Sequence, residues 1–359
     1  MEAARTCRTS VSGVITGQPH ARKRFQRKGR QTGGVVGRAR LEDVARLAGV
    51  STATASRVLS GRGPASPASR SRVARAAREL GYVPDAAART LAGSGGTRVA
   101  VAVGGWTADV LDDPYAARVL TAAAGVAAAR EVGVSLHWVP LHDPAALARL
   151  AGQRGVDGIV LVNPTRAALA VLPRSARGRV AAIGVGARGV PAFDVDNGTG
   201  AARVVEHLVA AGRRRVAMVT GPAWLPCTDR AVDAYRRVVG EAGLPVRAVP
   251  GDFTAARGGA AAEEVLARWP DTDAVFALGD LTALGALGAL GRAGVDVPGD
   301  VAVAGFDDIA FAALSRPALT TTTNPVETIA AGATTAVLDR RAAEPLTLHP
   351  SELVLRDSA

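Results

Sequence analysis

Between Leu41 and Ala92 the chain reads LEDVARLAGVSTATASRVLSGRGPASPASRSRVARAARELGYVPDAAARTLA, and its apolar residues recur at helical spacing in three short runs. Leu41, Val44, Ala45 and Ala48 share one face, and Gly49 supplies the left-handed position that closes a first helix. Ser51 follows as an N-cap, its hydroxyl free to take an orphan backbone N–H, and Thr52 to Ser60 carries Ala55, Val58 and Leu59 inward as a second helix. Two short helices joined by a glycine turn form a helix-turn-helix, whose second helix enters the DNA major groove by its N-terminal residues. Thr52, Ala53, Thr54, Ser56 and Arg57 then face DNA. Beyond a Gly/Pro break, Ser66 caps a third helix with Pro67 at its first position; Val73, Ala76, Ala77 and Leu80 give it a core face and Gly81 ends it.

Charge is distributed to match. Residues 1–40 carry a net +9 and residues 41–98 a net +5, whereas residues 99–359 carry −3. The basic excess thus sits entirely in the first quarter, as suits a phosphate-binding end joined to a near-neutral remainder, and nucleic acid is the natural partner. Arginine and alanine dominate, which fits a G+C-rich genome as well as selection for bidentate phosphate contacts. At 359 residues the chain should form two or more units with ample apolar core. No stretch approaches the roughly 20 apolar residues of a membrane span, and no secretory signal is evident, so a cytoplasmic location without membrane contact is expected. Cys7 and Cys227 belong to no ligand cluster and should be reduced thiols; no metal site or cofactor is expected.

Residues 1–40, with RKRFQRKGR at 22–30, lack an apolar period and read as a disordered basic extension. They are either an arm that adds nonspecific DNA affinity or an upstream stretch included by a wrongly chosen start codon. From Val99 onward β-rich runs alternate with helical patterns, which is α/β architecture. Strands are expected at Val99–Val103, Val134–Val139, Gly158–Val162, Val180–Ile183, Arg215–Thr220, Ala274–Ala277 and Val301–Phe306. Helices between them include 117–132, 200–211, 229–242, 257–267 and 281–293. In such sheets ligands bind beyond the carboxyl ends of the strands.

The blocks DVARLAGVS, ASRVL, ELGYVPDAAARTLA, VPGDVAVAGFDD and LTTT, in this order, resemble the lactose-repressor (LacI) family of bacterial transcription regulators. The resemblance implies an all-α helix-turn-helix head over 41–84, a hinge helix and linker over 85–98, and a dimerising α/β sensor over 99–359. The sensor would have two lobes, like a periplasmic sugar-binding protein, with chain crossings near 194–197, 321–325 and the C-terminus. It implies a homodimer or a dimer of dimers on a pseudo-palindromic operator, with a small effector, a sugar or related metabolite, in the cleft. Repression, too, is inherited from the resemblance.

Arg57 matches the family's recognition-helix arginine, able to take guanine O6 and N7 together, and Thr52 and Ala53 occupy its specificity positions. Ser51, Thr54 and Ser56 suit phosphates. Ala55 stands where the family commonly has valine. In the hinge, Leu91 matches a leucine wedged into the minor groove, Ala88 lies beside it one turn earlier, and Asp85 departs from a frequent asparagine. In the sensor, Asp113 and Tyr115 match a loop that meets the effector, Asp280 and Asp307 match pocket carboxylates, and Arg230 lies near an effector-binding arginine, one residue out of register. Gly184 replaces a pocket carboxylate. Trp224 either lines the vacated space or anchors a loop outside it.

An enzyme reading fails on the residues. Gly184 to Gly189 fits G-x-G-x-x-G, but Pro191 and AFDVDN do not continue as a helix. The five histidines are scattered, without a zinc-protease motif or nucleophile elbow. The alternative from another class is a small-molecule receptor with vestigial DNA binding.

Overall fold

The computed structural model describes residues 39–59, 64–82, 98–340 and 344–359. The hinge positions Asp85, Ala88 and Leu91 lie outside them, as do residues 1–38 of the basic extension. The chain divides into two compact units between Pro84 and Asp85.

Among the described residues the first unit holds three helices, α1 (Leu41–Ala48), α2 (Thr52–Leu59) and α3 (Pro67–Glu79). Gly49 closes α1 at φ 62°, and its amide bonds back to the carbonyls of Ala45 and Arg46. Ser51 Oγ accepts from Thr54 N at 3.2 Å, and Ser66 Oγ accepts from Ser69 N at 3.2 Å with Pro67 first in the helix. Val44, Ala45, Ala48, Ala55, Val73 and Ala76 are the core, with Leu41, Val50, Val58, Leu59, Ala77 and Tyr82 packed around it. Leu80 departs from expectation: it follows the last helical turn and stays 37 % exposed, while Tyr82 takes its place against the core.

The second unit has two parallel-sheet lobes. The first lobe contains β1 (Arg98–Gly105), β2 (Gly133–Pro140), β3 (Val156–Val162), β4 (Val180–Ile183), β5 (Ala192–Val195) and, late in the chain, β11 (Leu346–His349). Their order is β11-β5-β4-β3-β1-β2. The second lobe contains β6 (Val216–Val219), β7 (Arg247–Val249), β8 (Ala274–Ala277) and β9 (Ala302–Ala304) in the order β7-β6-β8-β9. Every pairing within these two sheets is parallel. The central strands are buried on both faces, which is why they read as continuous apolar runs and not as alternating ones.

Helices cover the sheets: α4 (Pro114–Ala128), α5 (Ala145–Ala151), α6 (Arg166–Ala170) and α7 (Arg174–Arg177) belong to the first lobe. The helices α8 (Asn197–Ala210), α9 (Pro226–Glu241), α10 (Ala255–Arg268), α11 (Asp280–Arg292) and α12 (Ala310–Leu314) belong to the second. A last helix, α13 (Val326–Asp339), returns to the first lobe and packs on β3, β4, β5 and α4. The chain therefore passes between lobes at 195–197, at 323–325 and at 350–352, where β12 (Leu353–Val354) pairs antiparallel with β10 (Thr321–Thr322). Among the described residues no helix is long and apolar enough to cross a membrane, and no group of three metal-ligating side chains is assembled.

Candidate functional site

On α2, the side chains of Ser51, Thr52, Ala53 and Arg57 are exposed and those of Thr54 and Ser56 half-buried, while Ala55 alone is fully buried. This division follows from helix geometry: the residue that packs on α1 and α3 leaves its neighbours pointing away. Ser51 Oγ lies 2.9 Å from Thr54 Oγ1, so these hydroxyls are already engaged with each other and with the helix N-terminus. Arg57 Nε donates to Ala53 O at 3.1 Å. One apolar-backed helix thus presents small hydroxyl and methyl groups and one guanidinium.

In the second unit, the loops after the strands converge on a cleft between the lobes. Its inner chamber, about 80 Å³, is lined from the first lobe by Asp113, Tyr115, Arg118, Asn163 and Asp194, and from the second by Phe253, Leu278, Phe306, Asp307 and Ile309. Asn197 and Asn324 enter from two of the crossings. An outer chamber of about 630 Å³ shares Asp113, Tyr115, Asn163, Phe253 and Leu281 with it and adds Trp106 and Trp224, one from each lobe. The inner chamber alone falls well short of the roughly 300–1,000 Å³ of ordinary small-molecule sites, and the two together reach that range.

The chamber is rich in carboxylates. Asp113 caps α4 by accepting from Tyr115 N at 2.8 Å, and burial raises its pKa above the ordinary range. Burial, reinforced by the negative field of Asp280, holds Asp307 far above it, although Asn324 Nδ2 donates to Asp307 Oδ1 at 2.9 Å. Asp307 also adopts φ 111°, a strained conformation for a residue with a side chain, which the surrounding contacts must maintain. Its neighbour Asp308 points elsewhere, to Arg356 at 2.6 Å. Burial pushes Asp194 up as well, against the pull of Arg230, which bonds to Asp194 and, at 2.7 Å, to Asn197 Oδ1. Arg118 Nη2 reaches Asn324 O at 2.9 Å and Glu327 Oε2 at 2.8 Å, clamping the second crossing to α4.

Of the residues singled out in the sequence, Asp113, Tyr115 and Asp307 line the inner chamber and Trp224 the outer one. Three are placed otherwise. Asp280 is 1 % exposed and stands behind the wall: Oδ1 accepts from Thr321 Oγ1 at 2.6 Å and Oδ2 from Ile309 N at 2.8 Å. With both oxygens used, it holds the loop that carries Asp307 and is not open to a ligand. Gly184, at φ 114°, ends β4 and lines a different cavity. Arg230 reaches the chamber wall only through Asp194 and Asn197, to which it donates at the first crossing. Asn163, Asp194, Phe253, Phe306 and Asn324 line the chamber without having been singled out; each lies at or just after a strand end, which was the available signal.

Residues 40–85 match the bacterial regulatory proteins of the lacI family, and residues 205–359 match the periplasmic binding protein-like domain. The HTH-type transcriptional regulator CelR of Thermobifida fusca is 36 % identical over 339 residues, covering 89 % of this chain and 96 % of that protein. This chain belongs to the LacI family. The solved CelR–cellobiose complex superposes with a TM-score of 0.64 at 32 % identity, over 90 % of this chain and all of that one. The lac repressor dimer bound to operator and the anti-inducer ONPF superposes with a TM-score of 0.76 at 26 % identity, over 89 % of this chain and 99 % of that one. The chain is accordingly a DNA-binding transcription regulator with a periplasmic-binding-protein-like sensor, and its relatives are regulators, not enzymes.

Proposed function

We propose that this LacI-family protein is a cytoplasmic repressor that binds a pseudo-palindromic operator as a dimer, alone or paired into a tetramer, and changes its affinity when a neutral sugar enters the interlobe cleft. The observation that carries the sugar reading is the set of half-buried Asp113, Asn163 and Asp307 and buried Asn324 beside the apolar faces of Phe253 and Phe306. Raised carboxyl pKa values suit groups that meet hydroxyls, which can both give and accept hydrogen bonds, better than groups that meet a fixed charge. The small inner chamber would take one ring and the outer chamber a second, so a disaccharide fits better than a monosaccharide; the solved cellobiose complex of a relative points the same way.

On the DNA side, Arg57 reads a guanine, Thr52 and Ala53 contact thymine methyl groups, and Ser51, Thr54 and Ser56 hold phosphates. Leu91, with Ala88 beside it and Asp85 at the start of the hinge helix, enters the minor groove. The domain limits carried by this reading are 41–84 for the head, 85–98 for the hinge and linker, and 99–359 for the sensor.

The test is a selection of genomic DNA fragments on the purified protein at near-physiological salt, with and without cellobiose. A palindrome whose retention changes with the sugar supports the reading; salt-sensitive retention without sequence preference sinks it. Arg57→Ala separates it from the receptor alternative: a regulator loses operator preference by about tenfold or more and keeps ligand binding.

A further inference from the structure

We propose that the first lobe carries a second ligand site, distinct from the interlobe cleft, built from Arg166, Arg177, Arg188 and the glycine loop 184–189, and that it takes a small metabolite bearing two phosphate groups. A cavity of about 720 Å³ opens between this loop, the ends of α7 and α13 and the first turns of α9, well within the size range of small-molecule sites and sharing no lining residue with either chamber of the cleft. Among the described residues five arginines line it, Arg166, Arg177, Arg188, Arg230 and Arg340, and no aspartate or glutamate does. Two of the five are discharged from outside, Arg340 by Asp157 and Arg230 by Asp194. The other three have no carboxylate partner among the described residues. Arg177 Nε and Arg230 Nε are moreover buried without a hydrogen-bond partner there. Gathering like charges and leaving buried donors unpaired both cost stability unless an acceptor-rich anion joins them.

The loop supplies a second kind of donor. Gly184 and Gly189 hold φ of 114° and 77°, and a Cβ on Gly186 would stand 2.8 Å from Val190 O and 2.9 Å from Ala192 Cβ. Ala187 and Val190 exchange backbone hydrogen bonds, and Gly184 N donates to Phe193 O. The amides of Val185, Gly186, Arg188 and Gly189 have no partner among the described residues. Successive free amides in a tight turn form an anion-binding concavity. The loop leads into β5 and not into a helix, so this G-x-G-x-x-G is no dinucleotide fingerprint, yet its glycines still bare backbone donors beside the arginines. Guanidinium forks and amides together select phosphate oxygens, and several arginines around one cavity suit a molecule with more than one such group.

The test uses the full chain and inorganic pyrophosphate, titrated calorimetrically at constant ionic strength, with Arg166→Ser/Arg188→Ser compared against Arg236→Ser/Arg237→Ser. The second pair removes the same charge from α9 in the other lobe, so it controls for polyanion binding by the basic N-terminal region. The expected result is a pyrophosphate affinity at least tenfold weaker in the first pair and unchanged in the second. Equal loss in both pairs, no loss in either, or no binding above that of sulfate overturns the site. Should the first pair melt early, Arg188→Ser alone, at the exposed loop, is expected to weaken binding in the same direction.

Discussion

Asp280 and Asp307 lie close together around one loop, and burial raises both carboxyls, yet they have opposite uses. Asp280 spends its oxygens on Thr321 and Ile309, whereas Asp307 keeps an oxygen for the cleft. Desolvation pushes Asp280 up to about 7 despite those two hydrogen bonds. A carboxyl whose folded pKa lies above its unfolded value of 3.8 binds more protons in the native state across that interval. Its stability contribution is therefore present below 3.8 and is lost as pH rises toward about 7. Urea denaturation at a series of pH values should show wild-type stability falling over this window relative to Asp280→Asn; parallel curves would mean that the carboxyl is ionised throughout. On the proposed sugar reading, Asp307→Asn should weaken cellobiose binding by about tenfold or more without lowering the melting temperature at neutral pH, because it removes an acceptor facing the ligand and, with it, a carboxyl that burial already disfavours in its charged form. Calorimetric titration of the variant checks this.

At the scale of elements, the head is held by very little. Among the described residues six small buried side chains from three helices form its core, and Val44 and Val73 are the largest of them. Val44→Ala should destabilise this unit by about 2 kcal/mol through reduced burial and the cavity left behind. Scanning calorimetry should then show the head's transition move down and the sensor's stay, since the two cores share no residue. The helices of the head are legible because each has local punctuation: Gly49 in a left-handed conformation, Ser51 and Ser66 as caps, Pro67 at a first turn. The strands β5, β7 and β11 and the helix α13 are not among the elements expected. β5 is four residues, all buried, with no alternation to betray it, and β11 is an edge strand that exists because it finds β5. AFDVDN does not continue the glycine loop as a helix; that it forms a strand is a consequence of its place between β4 and β11.

For the whole molecule, charge asymmetry and the three crossings matter most. Deleting residues 1–40 should reduce the salt dependence of nonspecific DNA binding, by a slope of about 0.9 for each phosphate that is no longer neutralised, and leave operator preference intact. Filter binding over a salt series measures the slope, and a changed preferred sequence would overturn the arm reading. By itself the sequence determined the order of the parts: a basic, capped three-helix head, then alternating strands and helices. Such signals are local, carried by caps, periodicity and charge along the chain. Only the tertiary structure decided which carboxylates face the cleft, that Asp280 is consumed as a brace, that Arg230 turns to Asp194, and that Gly184 belongs to a different cavity. Each of those outcomes depends on a partner far away in sequence, Thr321 for Asp280 and Asp194 for Arg230, and a side chain's role is set by whichever buried group reaches it first.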